Sequence, residues 1–110
     1  MMTMKTGEKN SRRSYSDYVN HMIRFFLSTP EGLTVTGHTG ADVNNWVAVQ
    51  TIWSDLPAEE QALIRMLYTS GRPYEETVYG YATEHGLSVQ TVWKIITNVT
   101  TRIAKVRGLI

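Results

Sequence analysis

The sequence predicts a small all-α domain of about five helices. Apolar residues recur at three- and four-residue spacings in one segment after another, and Pro or Gly separates each segment from the next. Only Leu33 to Gly40 (LTVTGHTG) is β-branched and glycine-punctuated, and it reads as a loop or a short extended piece. The 110 residues suffice for one domain with one core, and a chain of that size buries enough surface to fold without a disulfide or metal staple.

Residues 1–14 are polar, basic and aperiodic, and the expectation is a disordered arm ahead of a single helical domain over 15–110. The first helix is expected from about Ser16 to Ser28, capped by Ser14 or Ser16. Its apolar face would be Tyr18, Val19, Met22, Phe25 and Phe26, and Pro30 and Gly32 would stop it. A second helix is expected from Asp42, as N-cap, to near Trp53, with Val43, Trp46, Val49 and Trp53 as its buried stripe. Pro57 suits the first position of a third helix, where a missing N–H is no loss, and Glu59 and Glu60 suit the positive end of its dipole. Leu63, Ile64, Leu67 and Tyr68 form the apolar face of this helix, and Gly71 suits its cap.

A fourth helix is expected to open at Pro73 and run to His85, with Tyr74, Val78, Tyr81, Ala82 and His85 on one stripe. Gly86 is a natural left-handed terminator, Leu87 is read as a plug into the core, and Ser88 caps a fifth helix. The apolar positions of that helix are Val92, Ile95, Ile96, Val99, Ile103 and Val106. Only Gly86-Leu87-Ser88 separates the two helices, and so short a turn forces a steep crossing. A small residue, Ala82, sits where the helices would meet, and Val92 and Ile95 face back at fixed distances beyond the glycine. The pattern Ala-x3-Gly-x5-Val-x2-Ile, in register with two capped helices, marks a C-terminal helix-turn-helix.

Charge is unevenly spread. Lys5, Lys9, Arg12, Arg13 and Arg24 against Glu8 and Asp17 make residues 1–24 carry +3, residues 25–86 carry −6, and residues 87–110 carry +4 through Lys94, Arg102, Lys105 and Arg107 with no acid. Basic ends suit contact with a polyanion; solvated chain ends are the plain alternative. The absence of cysteine removes thiol catalysis and thiolate metal sites and suits a reducing, cytoplasmic setting. No apolar run approaches the roughly 18 residues of a membrane span, and residues 1–13 are too polar for a signal peptide. His21, His38 and His85 are scattered over different elements, the acids gather at helix starts, and the glycines of Val35–Gly40 lack a following Lys-Ser/Thr. No enzyme chemistry, cofactor or metal is indicated.

Leu56, Pro57, Leu63, Leu67, Tyr68, Gly71, Ala82, Gly86, Leu87, Ser88, Val92 and Ile103 together resemble region 4 of sigma-70-type transcription factors, and also the small phage and prophage ArpU-like regulators built on that module. The resemblance covers residues 56–107. It implies a DNA-binding transcriptional regulator whose second helix, from about Ser88, contacts the major groove of duplex DNA. Nothing in the chain resembles a promoter-melting region, and the second helix is poor in Arg, two departures from the pattern.

The expected contacts are specific. Ser88 and the neighbouring N–H groups would meet a phosphate. Gln90 could pair with an adenine edge, Thr91 touch a thymine methyl, and Lys94 reach guanine or phosphate, with Asn98 and Arg102 further along the same helix. For Gln90, Thr91 and Lys94 the alternative is an ordinary solvated face. Trp93 lies one place off the stripe, so it either packs in the core or a subunit contact or stacks on a nucleotide. Arg102, Lys105 and Arg107 either neutralise phosphates or end a solvated helix, and the basic arm either follows the DNA backbone or merely solubilises. Val92, Ile96, Val99, Ile103 and Val106 repeat as a seam whose partner is the first or second helix or a second subunit, with Leu109 and Ile110 adding apolar surface. A homodimer would multiply the few contacts of one such helix. The rival reading is a sigma-like interaction module that docks on RNA polymerase or another regulator without reading DNA.

Overall fold

The computed structural model describes residues 2–29, 32 and 38–110, with side chains from Tyr15 onward. Five helices account for its regular structure: α1 (Met2–Leu27), α2 (Gly40–Trp53), α3 (Ala58–Thr69), α4 (Tyr74–His85) and α5 (Val89–Arg107). No strand occurs among the described residues, and none of their helices is long and apolar enough to cross a membrane. The all-α expectation holds. Residues 33–37 of the expected loop lie outside the described residues.

α5 is the central element. It packs against α1, α2 and α4, while α3 joins α1 to α4. Its buried line, Val92, Ile96, Val99, Ile103 and Ala104, meets Val19, Met22 and Ile23 of α1, Ala48, Val49 and Ile52 of α2, and Val78, Tyr81 and Ala82 of α4 in one continuous core. Leu56, Leu63, Ile64 and Leu67 extend that core beneath α3. The expected seam on α5 is therefore satisfied within the chain. Val106 falls off it at 50% exposed, and Ala104 takes the buried place.

Four expectations about the helices are corrected. α1 begins at Met2, ahead of the start expected near Ser16. Met4, Lys5, Glu8, Lys9, Arg12 and Arg13 are adequate helix formers and no proline interrupts them, so the helix propagates without an apolar stripe. The expected contact of the arm's basic side chains with DNA lies outside the described residues. α2 is capped by Thr39 and not by Asp42. The Thr39 hydroxyl accepts from the Asp42 N–H and the Asp42 carboxylate from the Thr39 N–H, each at 3.1 Å, a reciprocal box in which Asp42 is the third helical residue. The buried face of α2 is Asn45, Ala48, Val49 and Ile52, whereas Val43 is exposed. Val43, Trp46, Val47, Ala48, Val49, Ile52 and Trp53 wrap α2 in apolar residues, so spacing alone cannot single out its inner side. Pro57 and Pro73 each stand one place earlier than expected, as the N-caps of α3 and α4.

Polar groups tie the helices together across the core. Buried Asn45 donates Nδ2 to the Tyr18 hydroxyl at 2.8 Å and accepts from Arg107 Nε at 2.5 Å, so a single amide joins α1, α2 and α5. Arg24 donates to the Tyr74 hydroxyl and lies 5.4 Å from the Tyr68 ring centroid, while the Tyr68 hydroxyl donates to Asn20 Oδ1 at 2.6 Å. Phe26 packs between Trp46 and Trp53, at centroid distances of 5.3 and 5.7 Å.

Burial pushes the Tyr68 hydroxyl above the ordinary 10.0, helped by Tyr74 and opposed by Arg24. Burial also raises Tyr81, with Glu59, Glu60 and Glu84 adding to the effect. Both tyrosines hold their protons more tightly folded than unfolded. Their contribution is complete below the unfolded value and is lost as pH rises above about 10. Melting temperature should therefore fall as pH is raised past that point, and Tyr68→Phe should flatten the fall. An unchanged slope in Tyr68→Phe would remove Tyr68 as a cause.

Candidate nucleic-acid interface

The two C-terminal helices are separate elements. α4 ends at His85, and Gly86 adopts φ +66°, ψ 33°, a left-handed conformation that reverses the chain. Both the Gly86 and Leu87 N–H groups point at the Ala82 carbonyl, the latter at 2.9 Å, which closes the helix end. Ser88 is extended at φ −78°, ψ 153°, and its hydroxyl accepts from the Thr91 N–H at 3.1 Å to start α5. Leu87 does not plug the core as expected. It is 38% exposed, because the closure carries it outward and Tyr81, Ala82 and Val92 already fill the space beneath the crossing.

With its apolar line turned inward, α5 presents a polar strip to solvent. Ser88, Gln90, Thr91, Lys94, Thr97 and Asn98 are all exposed. Lys94, Asn98, Thr101 and Lys105 follow one another at i, i+4, i+7 and i+11, so the strip runs nearly the whole helix. It contains no acid. The Thr91 hydroxyl is 2.8 Å from that of Ser88, which occupies its polar end and leaves its methyl as the group for an apolar contact. Trp93 is half-buried and packs against the core.

The basic residues of α5 divide into two pairs. Arg102 is half-buried and donates Nη2 to Asp55 Oδ2 at 2.9 Å, tying α5 to the segment between α2 and α3. Arg107 is held by Asn45. Lys94 and Lys105 form no ion pair among the described residues and stand fully on the strip. The structure thus brings Ser88, Gln90, Thr91, Lys94 and Asn98 onto one open face and commits Arg102 to a partner. Sequence reasoning offered Lys105 as a phosphate contact but passed over Thr101, although the i, i+4, i+7, i+11 spacing displays both on the strip. Nothing in the sequence signals the Asp55–Arg102 pair, whose members are 47 residues apart.

The first turn of α4 is acidic, with Glu75 and Glu76, and Arg72 pairs with Glu76 at 3.5 Å. Glu84 is exposed further along α4. The positive character of the helix pair is therefore concentrated on α5. The three histidines stay apart: His21 is exposed on α1, His38 lies 5.6 Å from the Phe25 ring, and His85 stacks 4.0 Å from Tyr81. Comparison with protein-family models, curated proteins and solved structures returned no match.

The turn itself is testable. A Cβ on Gly86 would meet nothing within 4 Å, so the cost of a side chain there comes from the positive φ alone. Gly86→Ala should destabilise the chain by about 1–2 kcal/mol in urea unfolding, and Gly86→Asn by less. Equal stability in all three would show that the turn does not require this backbone conformation.

Proposed function

We propose that the chain is a DNA-binding regulator that lays α5 in the major groove of duplex DNA. The observation that carries this reading is the acid-free polar strip on α5, held open by the turn at Gly86. It is supported by the resemblance of residues 56–107 to sigma-70 region 4, which rests on the residues named above.

The physical roles follow from position. The first turn of α5 offers unsatisfied N–H groups and the positive end of the helix dipole beside the Ser88 hydroxyl, a site for one phosphate. Gln90 reaches a base edge with paired donor and acceptor atoms, as adenine requires. The Thr91 methyl meets a thymine methyl, Lys94 reaches guanine or phosphate, and Asn98 contacts the next base or sugar. Lys105 adds a phosphate contact further along. With Arg102 and Arg107 committed inside the chain, fewer phosphates are neutralised than the basic residue count of α5 suggests.

A second reading is favoured by one observation. A groove of about 370 Å³ between α3 and α4 is lined by Met66, Arg72, Glu76, Tyr81 and Glu84. Arg72 already pairs with Glu76 there, so Glu84 beside Met66 and Tyr81 is the part of the lining that suits a basic protein segment, such as one on RNA polymerase or another regulator.

Binding to duplex DNA should weaken with salt, with log K falling against log salt at a slope of about −2 to −3 per subunit. Lys94→Ala should reduce that slope by about one. Gln90→Ala should instead relax preference at one base pair, by about 1–3 kcal/mol. Fluorescence anisotropy over a salt series reads both. Binding that is indifferent to both changes would show that α5 is not the reader, and capture of a protein partner without any DNA shift would favour the α3–α4 groove.

A further inference from the structure

α5 carries one guanidinium at the edge of the strip that the DNA reading leaves unused. Gln90, Lys94, Asn98 and Arg102 follow one another at i+4, and each step turns the row by about 40° round the helix. Arg102 therefore stands about 80° from Lys94, on the flank of the strip, and about 12 Å further along the axis. A helix lying in a major groove turns its centre line to the bases and its flanks to the phosphates that border the groove. Arg102 holds such a flanking position, and a guanidinium is well shaped for a phosphate. It is engaged elsewhere: its Nη2 donates to Asp55 Oδ2 at 2.9 Å.

The Asp55 backbone is fixed independently of this pair. Asp55 stands between the α2 cap Ser54 and the buried Leu56, and the Asp55 and Leu56 N–H groups donate to the Ile52 and Trp53 carbonyls at 3.0 and 3.1 Å. The pair itself is open to solvent, with the Asp55 side chain 74% and the Arg102 side chain 35% exposed. Exposed pairs contribute little to stability, so the fold does not depend on this one. Were Arg102 to leave for a phosphate, a bare carboxylate would stand beside the DNA backbone, and like charges at that range repel.

We propose that Asp55 is a built-in brake on DNA affinity: its carboxylate takes the place of a phosphate and keeps Arg102 off the DNA backbone. The brake rests on the DNA-binding reading above; the ion pair does not. A phosphate contact strengthens binding to every sequence alike. Withholding one lowers general affinity and leaves the choice among sequences to Gln90 and Thr91.

Anisotropy of the full chain with a short mixed-sequence duplex, over a salt series, tests the brake without knowledge of a target site. Asp55→Asn should keep its helical circular dichroism, bind about tenfold more tightly at about 50 mM salt, and steepen the slope of log K against log salt by about one. Asp55→Ser should do the same, which guards against an effect of the new amide. Arg102→Ala should leave the wild-type slope unchanged, because that guanidinium is already withheld. In the Arg102→Ala background, Asp55→Asn should no longer steepen the slope, whereas an acid acting only through overall charge would act alike in both backgrounds. Equal steepening in both backgrounds, or a wild-type slope that falls by about one on Arg102→Ala, would overturn the proposal. Salt-sensitive binding that Asp55→Asn and Asp55→Ser leave unmoved would overturn the brake and keep the DNA reading. No binding by the wild type or by any variant would overturn both.

Discussion

Burial of one side of α5 is the constraint from which the other features follow. Val92, Ile96, Val99, Ile103 and Ala104 need three neighbouring helices to exclude water from them, and α1, α2 and α4 supply those walls. Large aliphatic side chains in such positions contribute roughly 1.5–3 kcal/mol each when removed from water, which no exposed polar contact on this chain rivals. Because the helix is a rigid rod, fixing one side inward fixes the other outward. The solvent-facing strip of Gln90, Thr91, Lys94, Asn98 and Lys105 is thus set by packing that none of those residues takes part in.

The N-terminal half acquires a purpose in this view. α1 and α2 bear no recognisable motif, yet Val19, Met22, Ile23, Ala48, Val49 and Ile52 form much of the surface on which α5 lies. The Tyr18–Asn45–Arg107 chain of hydrogen bonds fixes the far end of α5 against them, and Arg102–Asp55 fixes its flank. Buried amides left unsatisfied are costly, so a satisfied Asn45 both stabilises and specifies the arrangement. At the near end, Gly86 and Ser88 define where α5 starts and which backbone groups it presents.

Much of this arrangement was legible before the structure. The helices declared themselves by three- and four-residue spacing, and the turn by Gly86 between Ala82 and Ser88, because both signals are local. Four of the six expected stripe positions of α5, Val92, Ile96, Val99 and Ile103, are buried. What escaped depended on tertiary context. α2 is apolar on nearly every side, so Asn45 and Ala48 could not be chosen over Val43 and Trp46 without knowing where α1 and α5 lie. Leu87 looked like core by composition, but its place is decided by how the left-handed turn leaves the helix. The candidate site fared similarly: the open face of Ser88, Gln90, Thr91, Lys94 and Asn98 follows from periodicity, whereas the engagement of Arg102 by Asp55 is a long-range event with no sequence signature.

The most direct test of DNA reading by α5 is a backbone amide NMR titration of the full chain with short duplex DNA at low salt. The account predicts shifts concentrated on Ser88 to Asn98 and extending toward Lys105, with the outer faces of α3 and α4 undisturbed. Shifts confined to α3 and α4, or none on the first three turns of α5, would contradict it.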